Sequence, residues 1–206
     1  MKLTMTCFAS LDGVMQSPGG PNEDPSDGFT HGGWQVPFFE DEEAGEFVSE
    51  VNSHADAFLL GRRTYEIFSS YWPEVTDPDN PIATKLNQAP KYVASRTLKS
   101  ADWHNTTILQ GDVVDAVRNL KQQEGDDLHI WGSGNLVQTL MRHDLIDTFR
   151  ILQHPVVLGS GRRLFAEGTV SGTLRVASGA VTSKGIVIMI YERAGELVTG
   201  SFDERL

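Results

Sequence analysis

The stretch LHIWGSGNLVQTLMRHDLIDTFRILQHPVVLGSGRRLFAEG, residues 128–168, decides the fold. It opens on an apolar run at 128–131, breaks at Gly132-Ser133-Gly134, and passes into a pattern that sets Leu136, Val137 and Leu140 on one helical face. That is a strand, a glycine turn and the start of a helix. The first N–H groups of a helix have no partner within it, and the peptide dipoles add partial positive charge there, so such a turn can hold a phosphate. The same punctuation also occurs where nothing binds. The rest of the chain has to show which case applies.

Working outward, the pattern recurs. An apolar run at 57–60 ends at Gly61-Arg62-Arg63-Thr64, after which Tyr65, Phe68, Ser69 and Trp72 follow helical spacing. Two guanidiniums and a hydroxyl at a helix start favour an anion more than glycines alone, because arginine forks match phosphate oxygens. A third run, 91–94, stops at Ser95-Arg96-Thr97. Near the start, 3–9 reads as a strand closed by the turn Ser10-Leu11-Asp12-Gly13. Residues 107–109 read as a strand and 113–123 as a helix. Strands at 144–152 and 156–158 are joined across His154-Pro155, and 174–182 with 186–192 form a hairpin about Ser183-Lys184-Gly185.

Between the first strand and the first helix, residues 16–37 are rich in Gly, Pro, Asp and Ser. So long an aperiodic segment in a compact domain is usually a functional loop. Trp34, Phe38 and Phe39 give it apolar groups to lay over a ligand, so we read it as a cover. The helix over 38–54 places Phe39, Glu43, Phe47 and Val51 along one stripe, with Glu40, Asp41, Glu42 and Glu43 in its first turn, where acids complement the dipole.

Strands alternate with helices and then strands stand alone. This order predicts an α/β fold: one domain over 1–206 with a mostly parallel central sheet, helices on both faces and antiparallel C-terminal strands. With 39% hydrophobic and 22% charged residues the chain is that of a globular protein. A net charge of −11 argues against nucleic acid or an anionic membrane as partner. No apolar run approaches the roughly 18 residues that span a bilayer. No signal-peptide pattern opens the sequence. The single cysteine, Cys7, excludes an internal disulfide and points to a reducing, cytoplasmic compartment. The six histidines lack metal-ligand spacing and read as surface or hydrogen-bonded residues, so no metal is expected.

Taken together, Ser10-Leu11-Asp12-Gly13, Leu60-Gly61-Arg62-Arg63-Thr64-Tyr65, Ser95-Arg96, Gly132-Ser133-Gly134 and the run from Leu145-Ile146-Asp147 through His154-Pro155-Val156-Val157-Leu158-Gly159-Ser160-Gly161 to Leu164-Phe165 resemble the dihydrofolate reductase-like superfamily. Within it, the chain is similar to the C-terminal reductase domain of the riboflavin-biosynthesis deaminase-reductase. The sequence carries no Cys/His zinc signature of the deaminase half, so the resemblance implies a stand-alone reductase-type protein.

The resemblance implies NADPH across the carboxyl ends of the strands. Gly61, Arg62, Arg63 and Thr64 would hold the pyrophosphate and the 2′-phosphate side, Ser95 and Arg96 would flank the adenosine, and Gly132, Ser133, Gly134, Asn135 and Leu136 would take the pyrophosphate near the nicotinamide. Ala9 and Val14 would approach the nicotinamide through main-chain atoms. The implied substrate is a pyrimidine carrying a phosphoribosylamino group. A pterin or dihydrofolate-type reductase and a non-catalytic NADPH-binding module are the alternatives.

Hydride delivery to a C=N bond needs a proton at nitrogen, and Asp12 and Asp41 are the expected carboxylates for orienting or protonating the acceptor. Asp12 also suits a turn before Gly13. Trp34 and Phe38 are expected to stack on the heterocycle, core packing being the other reading. Arg162 and Arg163 suit a substrate phosphate, a surface turn or a subunit contact. The open edge of the C-terminal strands predicts a homodimer.

Overall fold

Parallel strands need long crossovers, and the chain supplies helices for them. β1 (Lys2–Ser10) leads through a long loop to α1 (Glu42–His54), β2 (Ala55–Gly61), α2 (Arg62–Ser69), α3 (Pro81–Gln88) and β3 (Lys91–Ala94). β4 (Thr106–Ile108), α4 (Val113–Lys121), β5 (Asp127–Trp131), α5 (Gly134–Arg142) and β6 (Thr148–His154) follow. β7 (Leu174–Val181) and β8 (Val187–Arg193) form the terminal hairpin. This is a computed structural model, and it describes residues 1–202.

The eight strands form one sheet in the order β4-β3-β2-β5-β1-β6-β8-β7. Pairings from β4 to β6 are parallel, while β8 runs antiparallel to both β6 and β7. On one face, Leu3, Met5 and Cys7 of β1 pack against Val117 of α4 and Val137 and Leu140 of α5. On the other, Phe58 and Leu60 of β2 and Val93 of β3 meet Val51 of α1, Tyr65 of α2 and Leu86 of α3. Burial on both faces explains why β1 and β5 are nearly continuous buried runs rather than alternating ones. Among the described residues, no helix is long and apolar enough to cross a membrane.

Three sequence expectations are corrected. The helix expected over 38–54 begins at Glu42, because Asp41 takes the N-cap and accepts a hydrogen bond from the Ala44 amide. Phe39 therefore lies off the helix and is 77% exposed. The strand expected at 144–152 starts at Thr148, after a turn in which Asp144 adopts a φ of 60°. Residues 156–158 pair with no strand, and Val157 is 70% exposed.

Candidate functional site

A cleft of roughly 2160 Å³ opens at the carboxyl ends of the central strands. Its origin lies in the register of β1. The last β1–β5 pair is Thr6 with Trp131, where β5 turns away at Gly132, yet β1 continues against β6 as far as Ser10. Cys7 and Phe8, beyond that last pair, line the cleft. In open α/β sheets this divergence of neighbouring strands is where ligands sit. The space exceeds the usual small-ligand pocket of about 300–1,000 Å³.

The three junctions read from the sequence converge here: Gly61, Arg62, Arg63 and Thr64, then Ser95 and Arg96, then Gly132, Ser133, Gly134, Asn135 and Leu136 all line the cleft. The helix starts differ in a telling way. Asp41, Asn80 and Asp112 cap α1, α3 and α4 with their own side chains. α2 and α5 have no side-chain cap, and both of their N-termini line the cleft, which the capped starts of α1 and α4 also border through Asp41 and Asp112. Unclaimed N–H groups at two adjoining helix starts form an anion cradle. Gly132, at φ +54°, and Gly134, where a Cβ would come within 3.0 Å of Met15 Sδ, keep the backbone close and bare.

The cleft arginines are unequally engaged. Arg62 pairs with Glu66 at 2.6 Å and donates to Thr97 Oγ1 at 2.7 Å. Arg63 donates to Ser26 Oγ at 2.8 Å and reaches Asp24 at 3.4 Å. Arg162 pairs with Asp24, meets Asp27 at 2.8 Å, and donates to the same Ser26 hydroxyl at 2.8 Å. Asp24 thus anchors the 16–37 loop across Arg63 and Arg162. Burial opposes its charge, but the Ser26 hydroxyl and the two guanidiniums outweigh that and hold its carboxyl below the usual range. Arg96 is exposed and has no hydrogen bond or ion pair among the described residues.

The other half of the cleft is apolar. Phe8 and Trp131 stack at 5.7 Å and line the floor, and Phe38 lies on the wall. His154, at the end of β6, lines this half although its side chain is fully buried. The sequence reading missed it by treating every histidine alike. The available signal was its position, at the carboxyl end of an apolar run and directly before Pro155.

Four expected site residues are placed elsewhere. Ala9 and Val14 are buried in the core, do not line the cleft, and Val14 spends its main chain on Ser10: its carbonyl accepts from the Ser10 amide and its amide donates to Ser10 Oγ. Trp34 packs with Val14 and Phe29, donates from Nε1 to the Gln16 carbonyl at 2.8 Å and does not line the cleft. Asp12 is a structural pin. The Ser10 hydroxyl donates to it at 2.7 Å, the Leu158 and Gly159 amides at 3.1 and 2.9 Å, and together they hold its carboxyl well below the usual range. Arg163 also pairs with it at 3.3 Å.

Asp41 does lie on the cleft wall. Burial raises its pKa, but the Thr182 hydroxyl at 2.5 Å, the Ala44 and Lys184 amides and the Lys184 charge lower it further and keep it ionised. The Cys7 thiol is pushed up to about 12 by burial and is inert. Among the described residues, no group of side chains could hold a metal ion.

Comparison with known proteins agrees with this architecture. Residues 1–188 match the sequence profile of the RibD C-terminal domain. The chain is 26% identical over 200 residues to the uncharacterised protein YyaP of Bacillus subtilis, covering 94% of this chain and 96% of that one. A crystal structure of a Shewanella sp. PV-4 protein ascribed to riboflavin biosynthesis superposes with a TM-score of 0.66 at 24% identity, over 94% of this chain and 99% of that one. The diaminohydroxyphosphoribosylaminopyrimidine deaminase/5-amino-6-(5-phosphoribosylamino)uracil reductase of Thermotoga maritima superposes with a TM-score of 0.61 at 14% identity, over 94% of this chain and 56% of that one. A sequence match running from the first residue into the last strand, on a sheet of the dihydrofolate reductase-like type, settles the lineage: the chain belongs to the RibD C-terminal domain family.

Proposed function

We propose that the protein is an NADPH-dependent reductase of a heterocyclic substrate, of the 5-amino-6-(5-phosphoribosylamino)uracil reductase type. The observation that carries this reading is the pair of uncapped helix starts, α2 and α5, opening on one cleft beside the unpaired Arg96. A dinucleotide pyrophosphate needs such N–H donors, and a 2′-phosphate needs a guanidinium that no protein carboxylate already holds. NADPH, when bound, supplies the hydride.

The chain's own residues supply position and environment. The N–H groups at 62–64 and 134–136 would hold the phosphates and Arg96 would receive the 2′-phosphate, with Arg63, shared with Asp24, beside it. Phe8, Trp131 and Phe38 keep the acceptor against the nicotinamide end and exclude water. Asp41, ionised and with both oxygens engaged, contributes a fixed negative field rather than a proton. Among the described residues, Asp41, the carboxylate placed beside Phe38 and His154, lacks a free oxygen, so the pterin or dihydrofolate alternative gains no support. That same lack favours one second reading, a cofactor-binding module without turnover.

Titration with NADPH, followed by nicotinamide fluorescence, and then addition of 5-amino-6-(5-phosphoribosylamino)uracil under anaerobic conditions tests the proposal. Saturable binding and substrate-dependent loss of nicotinamide absorbance are expected. Binding without oxidation would select the non-catalytic reading, and no binding would overturn both.

A further inference from the structure

Five buried side-chain polar atoms have no hydrogen-bond partner among the described residues, and two of them, Thr6 Oγ1 and His154 Nε2, belong to residues lining the cleft. An unpaired buried polar atom costs about 1–3 kcal/mol, and each such atom in a native fold calls for a reason. His154 is the stronger case because its chemistry is fixed. Nδ1 lies 3.0 Å from the Leu152 carbonyl, which can only accept, so Nδ1 carries the proton. Nε2 is left as a bare acceptor.

The ring is boxed edge to face by Trp34 and Phe38 at 5.3 Å each and Phe8 at 5.9 Å, none of which offers Nε2 a strong donor. The Trp34 N–H is already given to Gln16. Burial holds the imidazole below its ordinary pKa, although the Leu152 and Ala9 main chain and the Asp41 charge oppose this. The result is a rigid, neutral acceptor set in aromatic walls at the acceptor end of the cleft.

We infer that His154 Nε2 is a specificity-determining contact that accepts a hydrogen bond from an N–H on the edge of the bound heterocycle. Resting on the reductase reading for the identity of that half of the cleft, this narrows the substrate class to rings presenting a lactam N–H donor. A ring whose lactam nitrogens are all alkylated leaves Nε2 unpaired and is rejected, since missing a partner for a buried polar group discriminates more sharply than a small change of shape.

The test uses the full chain and two probes, 5,6-diaminouracil and its 1,3-dimethyl counterpart, with wild type, His154→Phe and His154→Gln. Phe fills the aromatic box without an acceptor, and Gln returns an acceptor near the Nε2 position. Wild type should bind diaminouracil about tenfold more tightly than the dimethyl compound. His154→Phe should lose that preference while keeping its affinity for NADPH, and His154→Gln should restore part of it. In uniformly 15N-labelled wild type, the unprotonated imidazole nitrogen of His154 should move upfield when diaminouracil is added.

Equal discrimination by wild type and His154→Phe, no binding of diaminouracil by wild type, or an unmoved imidazole nitrogen would each overturn the inference. The imidazole measurement needs neither cofactor nor a variant that folds. Failure to bind NADPH therefore removes the reductase reading separately.

Discussion

The hydroxyl of Ser133 accepts a hydrogen bond from the main-chain N–H of Gly61 at 2.9 Å. The same hydroxyl donates to Thr64 Oγ1 at 3.1 Å, so the start of α5 is fastened to the start of α2. These are the two uncapped helix ends, and the Ser133 side chain spends itself on joining them instead of capping its own helix. Ser133 does so from a left-handed backbone, φ 53° and ψ 41°.

Ser133→Ala and Ser133→Gly should therefore differ. Both lose the fastening, at about 1–2 kcal/mol, but Gly recovers roughly 1 kcal/mol by relieving the left-handed strain. Urea unfolding should place the Gly variant above the Ala variant, with both binding NADPH more weakly than wild type. Equal stabilities would show that the left-handed backbone costs nothing here.

Arg96→Ala should weaken NADPH by about ten- to a hundredfold, the worth of a charge-assisted contact, and leave NADH nearly untouched. Arg63→Ala should also favour NADH, by a smaller factor, because Arg63 is shared with Ser26 and Asp24 in the free protein. Fluorescence titration with both cofactors measures this. Equal losses of NADPH and NADH in the Arg96 variant would move the 2′-phosphate away from β3.

Asp24, Asp41 and Asp12 all have folded pKa values below the ordinary carboxyl value of 3.8. A depressed carboxyl stabilises the fold above its unfolded pKa and loses that contribution as pH falls toward its folded pKa. Thermal stability should therefore begin to fall below about pH 6.5, where the unfolded chain protonates His129 and His154 while burial keeps them neutral in the fold, and fall further as pH drops through and below the ordinary carboxyl value. Asp24→Asn should lower the neutral-pH midpoint, flatten the acid decline and speed proteolysis within residues 16–37. An unchanged acid slope would remove Asp24 as the anchor.

Much of this architecture was readable beforehand, and the failures have physical causes. The strand–glycine–helix junctions at 61 and 132 were legible because fully buried parallel strands are continuous apolar runs that stop where backbone freedom is needed. The helix start was misplaced because Phe39 matches the helical period, whereas a cap is decided by which side chain meets the amides, and that was Asp41. Val156, Val157 and Leu158 looked like a strand because composition does not reveal whether a neighbour exists to pair with. Asp12 and Trp34 have the right chemistry for a site, and only tertiary contacts show that their polar atoms are already engaged.

We propose a homodimer through β7. It is one of the two edge strands of the sheet, and all of its residues after Leu174 are exposed, with Val176 and Val181 at 55% and 70%. A long strand open along its edge and on its faces invites a second copy. Light scattering should give twice the 22.7 kDa chain mass, and Val176→Lys with Val181→Lys should halve it. A monomeric wild type would remove the proposal.

Asp41 joins two parts of the molecule far apart in sequence. It starts the helix that walls the cleft, and it is gripped by Thr182 and Lys184 at the hairpin tip, while Ala44 packs with Ile186 and Ile188. Tip and wall are consequently tied together. A shortened chain lacking that hairpin would lose the groups that brace the chamber's wall along with the sheet's edge.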